Sequence, residues 1–284
     1  MNGIDISQHQ KGINLAAVPA DFVIVKASQG ASSSVYPTFK EQIEEADRLG
    51  RCIGAYHYAS QGGAIPEAEK FLKAVDPYIG RAILCLDWEK DQNVNFNNPE
   101  YAISWLKYVE QKTGIKPFIY MSKSVCRQYS KVWDASYPLW CAQYKLIPPT
   151  TYIDDPWTDN KGFGPWANCA ILQYSSKGRL PGYGSKLDLD KAYITANQWL
   201  DYAGGKISQP AQANRPTLRK GDRNEYVLHW QKFLNMSGFP CGFEDGIFGN
   251  RTEKAVKQWQ MANGLVADGI IGPKTWAALL DKPQ

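Results

Sequence analysis

The chain has 284 residues, of which 44% are hydrophobic, so it is long enough for one large domain or for a large and a small one. Its net charge is only +4 and no basic run interleaves with aromatic residues, which excludes the pattern of a nucleic-acid-binding groove. No apolar run is long enough to cross a membrane, so we expect no membrane insertion. Residues 206–284 carry 11 Lys and Arg against 7 Asp and Glu, whereas residues 1–205 carry 21 of each, and this asymmetry favours two modules.

Short apolar segments alternate with amphipathic ones over the first 200 residues. The predicted strands are residues 3–6, 22–27, 52–58, 82–86, 117–120, 139–143, 170–174 and 186–189. The predicted helices among them are residues 39–49, 66–75, 101–111 and 191–202. Alternation of strands and helices predicts parallel strands, and eight of them indicate an α/β fold with a closed (β/α)8-like barrel. Because the connection 145–169 is long and irregular, we expect the barrel to be distorted.

Carboxylates stand at the ends of several predicted strands. Asp87 and Glu89 close the apolar run 82–86, and side-chain alternation along a strand points both to the same side. Such a pair destabilises the fold because like charges repel. It is useful in catalysis because one group can hold a proton while the other stays ionised. Asp5 and Asp188 lie in other strands, so a barrel would bring four carboxylates to one mouth, at the C-terminal ends of its strands. A solvated strand end is the alternative for any single acid.

The last third of the chain differs in character. Residues 204–216 have no apolar periodicity and contain Gly, Pro, Gln and Asn, which predicts a linker. Residues 217–284 then contain a repeat, because Asp-Gly-Ile-Phe-Gly-Asn-Arg-Thr at 245–252 returns as Asp-Gly-Ile-Ile-Gly-Pro-Lys-Thr at 268–275. Each copy runs into an apolar helix face and an earlier helix precedes them, so we predict a small all-α domain. No nucleophile or acid pair is evident in it, which favours a binding module.

Cysteine and histidine give no sign of a metal or a cofactor. None of the six cysteines forms a C-x-x-C pair and their spacings match no zinc pattern, so we interpret them as thiols outside disulfides. The three histidines, His9, His57 and His229, are far apart in the sequence. We therefore expect neither a metal site nor a cofactor.

The ordered strand motifs resemble those of the family 25 glycoside hydrolases, the lysozymes of phage and bacterial origin. The matching segments are residues 3–10, 22–30, 54–58, 86–89, 117–120, 139–144, 172–174 and 187–190, in the family's order. The doubled D-G-I-x-G-x-x-T motif is similar to that of the small helical peptidoglycan-binding domain attached to many wall-degrading enzymes. The resemblance implies a catalytic domain at 1–203, a linker at 204–216 and a three-helix wall-binding domain at 217–284.

This chain departs from the family pattern at three places. Gln29 stands where the family often has Glu, and Tyr36 lies next to Pro37 rather than two residues before Asp-Pro. The last strand offers two acids, of which Asp188 matches the family's aspartate and Asp190 stands where Asn is commoner. Which of the two lines the site is left open at this stage.

The resemblance implies hydrolysis of the β-1,4 bond from N-acetylmuramic acid to N-acetylglucosamine in peptidoglycan glycan strands. We predict that Glu89 is the acid, with its pKa raised by repulsion from Asp87, Asp5 and Asp188. The aspartates would orient the sugar, hold water or stabilise the oxocarbenium-like transition state. Alternatively the substrate's 2-acetamido carbonyl acts as internal nucleophile, and Asp87 positions its nitrogen.

Sugar contacts are predicted from side chains near the expected mouth, with core packing as the alternative for each. They are Lys26, Tyr58, Tyr120, Trp140 and Gln143. Trp88 alternates away from the two acids and is predicted to be structural.

Three other functions remain for comparison. A chitinase-type barrel needs the longer D-x-x-D-x-D-x-E run, which residues 83–86 do not supply. A non-catalytic wall-binding protein would be expected to lack one of the acids, and all are present. A metal-dependent amidase or peptidase would need histidines beside the acids, and His9 with His57 is a poor set.

The first predicted strand begins at residue 3, which leaves no signal peptide in this sequence. A leaderless muramidase with a wall-binding segment resembles a phage endolysin. We expect such an enzyme to stay in the host cytoplasm as a monomer until a holin-type partner opens the membrane. A bacterial autolysin of the same activity is the alternative.

Overall fold

The computed structural model describes residues 1–31, 36–205 and 216–280, and the chain divides into two compact units, Met1–Ile207 and Ser208–Gln284. The predicted linker at 204–216 lies mostly outside the described residues. Among the described residues no helix is long and apolar enough to cross a membrane.

The first unit is a closed eight-stranded barrel, as predicted. Its strands are β1 (Asn2–Ile6), β2 (Phe22–Gln29), β3 (Cys52–Tyr58), β4 (Ala82–Asp87), β5 (Phe118–Ser122), β6 (Leu139–Ala142), β7 (Ile171–Gly178) and β8 (Leu187–Ala192). Its helices are α1 (Pro37–Arg48), α2 (Ala64–Val75), α3 (Pro99–Thr113), α4 (Lys123–Gln128) and α5 (Ala196–Tyr202).

Strand direction differs from the prediction at β8. The pairs from β1–β2 to β6–β7 are parallel, but β8 runs antiparallel to both β7 and β1. The reason is the connection 179–186, which is too short for the dozen or more residues that a parallel crossover needs. The N-terminal end of β8, rather than its C-terminal end, therefore lies at the mouth formed by the other strands' C-terminal ends.

The end of the barrel domain also differs from the sequence prediction. Residues 191–195 are not helical, since β8 continues to Ala192 and α5 begins only at Ala196. Thr195 fixes this start with a capping box, its hydroxyl accepting from the Gln198 backbone N–H. On α5, Trp199 packs on Phe22 at 4.7 Å between ring centroids and donates to the Ile53 carbonyl at 2.8 Å. This tryptophan closes the end of the barrel opposite the mouth.

Inward-facing residues change from apolar to polar along each strand. In β4 the inward positions are Ile83 and Cys85, both fully buried, followed by Asp87. In β5 they are Phe118 and Tyr120. Because side chains alternate along a strand, residues two positions apart both point into the barrel. The earlier inward residues are apolar and form the floor, and the later ones are polar and form the mouth. The barrel thus carries its polar groups at the end where the loops are longest.

The connection 145–169 packs on the barrel through a glycine that cannot be replaced without strain. Gly164 has φ of +64°, and a Cβ built there would lie 2.1 Å from the Cys126 carbonyl oxygen. We expect Gly164→Ala to destabilise the barrel by about 2 kcal/mol or more, because backbone must move. Thermal unfolding measures this, and Gly184→Ala, where no atom lies within 4 Å, is the control that should change little. An unchanged melting temperature for Gly164→Ala would contradict this packing.

Within its described residues, 216–280, the second unit contains three helices, as predicted: α6 (Glu225–Met236), α7 (Asn250–Ala262) and α8 (Pro273–Leu280). The repeat has a structural basis. Gln231 donates to Asp245 Oδ1 at 2.9 Å and accepts from the Gly246 backbone N–H at 2.8 Å. Gln260 makes the same two bonds, to Asp268 Oδ1 and from the Gly269 N–H, each at 2.9 Å. Each Asp-Gly turn is therefore held by a glutamine of the preceding helix.

Candidate active site

A polar pocket of about 290 Å³ lies at the barrel mouth. It collects all four predicted acids and four of the five predicted sugar contacts. Its lining is Asp5, Ile6, Ser7, His9, Gln10, Lys26, Tyr56, Tyr58, Asp87, Glu89, Tyr120, Trp140, Tyr144, Gln173 and Asp188. These side chains come from strands that are distant in sequence, so the fold itself assembles the site.

Asp87 and Glu89 face the pocket together, as the alternation predicted. Burial raises the pKa of Asp87 well above its usual range, and repulsion from Glu89 adds to it. Burial is also the first cause that raises the pKa of Glu89, followed by Lys26, which lowers it, and Asp91, which raises it. Repulsion from Asp87, Asp5 and Asp188 was the predicted cause for Glu89, but burial comes first and Asp91 is the acid that adds to it. The pair therefore holds a proton well above the pH at which free carboxyls lose theirs.

Lys26 is the cation of this part of the pocket. Burial lowers its pKa, while Asp87 and Glu89 raise it. Its Nζ lies 4.3 Å from the centroid of the Tyr58 ring and donates to Gln29 Oε1 at 2.9 Å. A glutamate at position 29 would pair with this ammonium. The amide of Gln29 adds no charge, so the positive charge of Lys26 acts on the two acids.

Gln173 connects the other side of the pocket. Its Nε2 donates to Asp5 Oδ2 at 2.6 Å, and its Oε1 accepts from the Tyr120 hydroxyl at 2.8 Å and from the Tyr144 hydroxyl. Asp5 is 7% exposed, and burial, followed by the charge of Asp190, raises its pKa well above the usual range. The position of Asp5 is thus fixed by an amide from β7.

The two acids of β8 have different places. Asp188 lines the pocket, and burial, with the charges of Asp5 and Glu89, raises its pKa to about 8. Asp190 is fully buried beneath it, and its Oδ1 accepts from Trp140 Nε1 at 2.9 Å. The antiparallel direction of β8 explains this order, because its first residues are nearest the mouth.

Gln143 is the predicted site residue that the pocket does not include. Its Oε1 accepts from the Asp159 backbone N–H at 3.1 Å, because β6 ends at Ala142 and the next residue turns into the long connection. Sequence reasoning also missed Tyr56, Tyr144 and Gln173, which line the pocket. All three lie in segments that match the family motifs, at 54–58, 139–144 and 172–174, but no other signal marked them.

His57 is engaged in structure rather than in a metal site. Its Nδ1 bonds Ser28 Oγ at 2.9 Å and its Nε2 bonds Glu67 Oε2 at 2.8 Å, and all three residues are fully buried. Both ring nitrogens are therefore occupied. Among the described residues no group of three or more His, Cys, Asp or Glu is arranged to hold a metal ion. Trp88 is also fully buried, stacked 6.0 Å from Phe96, as predicted for a structural residue.

A barrel mouth lined by carboxyls of raised pKa fits the paired acids that glycoside hydrolases use. The sequence model of the glycosyl hydrolases family 25 matches residues 4–183, and the chain belongs to this family. Residues 223–279 match the model of a peptidoglycan binding domain. The protein is thus a glycoside hydrolase of the lysozyme (muramidase) family that carries a peptidoglycan-binding domain.

Three similar proteins illustrate the range of the family. The uncharacterised protein YegX of Escherichia coli O157:H7 is 30% identical over 200 residues, which are 67% of this chain and 68% of that protein. The autolytic lysozyme of Clostridium acetobutylicum is 27% identical over 283 residues, 98% of this chain and 78% of that one. The catalytic domain of endolysin ply40 from bacteriophage P40 of Listeria monocytogenes has a TM-score of 0.59 at 23% identity, covering 72% of this chain and 98% of that domain.

Proposed function

We propose that the pocket at the barrel mouth hydrolyses the β-1,4 bond between N-acetylmuramic acid and N-acetylglucosamine, with Glu89 as the acid. The observation that carries this proposal is the gathering of Asp5, Asp87, Glu89 and Asp188 in one pocket where burial raises their pKa values. A general acid must be protonated near the working pH and able to give its proton to the leaving oxygen. A protein that only binds has no need of carboxyls that hold and release protons near neutral pH, so the raised pKa values favour an enzyme.

Glu89 suits the acid role better than its neighbours. It is only half-buried, whereas Asp87 and Asp5 are 6% and 7% exposed, so Glu89 can exchange its proton with solvent between turnovers. Lys26 limits the rise of its pKa, which keeps proton release possible. Glu89 therefore combines access to solvent with a raised affinity for the proton.

The aspartates stabilise the positive charge of the transition state and orient the sugar. Asp87, beside the ammonium of Lys26, stabilises the cationic centre or positions the nitrogen of the 2-acetamido group, whose carbonyl then acts as nucleophile. Asp188 and Asp5 lie across the pocket and order the sugar hydroxyls and the attacking water. Both versions of the mechanism use the same acid.

The aromatic rings of the lining bind the sugar faces. Tyr58, Tyr120 and Trp140 each expose less than a tenth of their surface, so only their edges meet the substrate. Tyr144 is 40% exposed and offers the accessible platform. Lys26 adds a polar contact.

The C-terminal residues 217–284 hold the enzyme on the wall, and residues 1–203 cut it. Support comes from the match to a peptidoglycan binding domain and from the division of the chain into two compact units. An anchor of this kind raises the local concentration of the catalytic domain at its polymer. The protein works as a monomer.

The biological role we propose is that of a phage endolysin, which stays in the host cytoplasm and reaches the wall when a holin opens the membrane. The endolysin domain from phage P40 has the same fold. An autolysin is the second candidate, because the autolytic lysozyme of Clostridium acetobutylicum matches 98% of this chain. Expression inside a susceptible host separates them. Lysis only after the membrane is permeabilised supports the endolysin, and lysis without permeabilisation supports the autolysin.

The activity itself is tested on purified peptidoglycan by identifying the sugar at each new reducing end after borohydride reduction. Reduced muramic acid is expected. Reduced glucosamine would indicate the opposite bond and contradict the proposal, and no new reducing end would leave a binding protein.

A further inference from the structure

Asp190 is a fully buried acid that the proposed mechanism does not use. It lies opposite Gly3 of β1 and Gln173 of β7, within the barrel wall. Trp140 donates to its Oδ1 at 2.9 Å. Its Oδ2 is buried, and beyond the backbone and carboxyl of Asp5 it has no hydrogen-bond partner among the described residues. An ionised carboxylate buried in this place would be only partly hydrogen-bonded, which is costly.

Asp5 stands two residues after Gly3, the β1 residue opposite Asp190, and both carboxyls face the barrel interior. This places the carboxyl of Asp5 beside that of Asp190, where a carboxyl–carboxyl hydrogen bond acts on both groups. Two ionised carboxylates have no hydrogen to share, so this bond forms only if one of them carries a proton. Burial raises the pKa of both groups well above the usual range. Gln173 already donates to Asp5 Oδ2, which leaves the other Asp5 oxygen for the shared proton.

The other ionisable groups around Asp190 do not supply a compensating cation. Asp188 precedes it on β8 and raises its pKa, and the charge of Asp190 in turn acts on Tyr144, Tyr152 and Tyr174. Burial raises the pKa of each of these tyrosines, so they are neutral. The lysine of the pocket, Lys26, acts on Asp87 and Glu89 instead.

We propose that Asp5 and Asp190 share one proton in the working enzyme, and that Asp190 is the positioning residue that holds Asp5 toward the glycan. Trp140 and Gln173 fix the two outer ends of the pair, and the shared proton joins its middle. Asp190 itself touches no substrate, since Asp188 and Asp5 lie between it and the opening. The activity part of this inference rests on the proposed function, whereas the proton part concerns the free protein.

The presence of the shared proton is tested by comparing the wild type with Asp190→Asn. The amide keeps an oxygen for Trp140 and offers an N–H to Asp5, so no shared proton is needed. Over the range above the ordinary carboxyl pKa, a proton held only by the folded state makes stability fall as the pH rises. The stability of the barrel measured by denaturant unfolding between pH 5 and 7 should therefore fall less steeply in the variant, by about one proton per molecule. Equal slopes would overturn the proposal.

The positioning role is tested with Asp190→Leu, which has a similar size but no polar atom. We expect Asp190→Asn to retain most of the wild-type kcat on peptidoglycan, and Asp190→Leu to lose about 10-fold to 100-fold in kcat with little change in KM. Loss of kcat in both variants would overturn positioning, because it would mean that the acid itself is required. If Asp190→Leu does not fold, Asp190→Asn still tests the proposal, through the pH dependence of its stability and through its kcat. An inactive wild type with the expected slope difference would contradict the proposed function and leave the shared proton standing.

Discussion

Glu89→Gln is expected to lower kcat/KM on peptidoglycan by about 10²- to 10⁴-fold, the range that general acid catalysis contributes. The amide keeps the size of the side chain and its place at the mouth but has no proton to give. Binding to the wall should persist, because the change leaves the second unit untouched. The loss is measured as release of reducing ends at equal enzyme concentration.

An activated substrate separates the acid role from a general defect. An aryl glycoside of N-acetylmuramic acid has a leaving group that departs without protonation, so Glu89→Gln should cleave it at close to the wild-type rate. Glu41→Gln is the matched control, since Glu41 is an exposed glutamate on α1. Equal loss of activity on both substrates would show that Glu89 has another role. Wild-type activity on both would exclude Glu89 from catalysis.

Trp230→Ala is expected to unfold the second unit and abolish retention on the wall. Trp230 is fully buried at the centre of that unit, with Phe233, Trp259 and Trp276 each about 5 Å away between ring centroids. Truncation of a buried tryptophan costs about 3–5 kcal/mol, and a unit of this size has little stability to lose. Wall pull-down and calorimetry measure the effect.

The barrel provides the internal control for that variant. Cleavage of a short soluble peptidoglycan fragment should stay at the wild-type level, and the unfolding transition of the barrel should remain. Trp230→Phe, which keeps a ring in the core, should restore most of the wall binding. Retained pull-down by an unfolded second unit would contradict its role as the anchor, and loss of soluble activity would show that the two units depend on each other.

Much of the fold could be predicted because buried strands have a strong apolar signal. All eight strands were found, and the acids at their ends pointed to one mouth. Strand direction was not found for β8, because alternation along a strand is the same in both directions. The information lay in the connection 179–186, whose length excludes a parallel crossover.

The site was predictable where residues carry charge and less so where they do not. Asp87 and Glu89 were found from their spacing, and Asp188 from its match to the family. Gln173, a neutral amide that holds Asp5, has no such signal outside the family motif. Gln143 was also predicted as a sugar contact, but the lining of the pocket does not include it, because β6 ends at Ala142 and strand ends are hard to place from sequence.

In the proposed reaction the glycan bond is broken beside Glu89, in the pocket at the barrel mouth. The most direct test of this proposal is a crystal structure of Glu89→Gln with an uncleaved peptidoglycan tetrasaccharide. We predict the bridging oxygen between N-acetylmuramic acid and N-acetylglucosamine at about 3 Å from the side chain of residue 89, with Asp87 on the muramic acid side. A glycan seated elsewhere on the barrel, or with that oxygen out of reach of residue 89, would contradict the account.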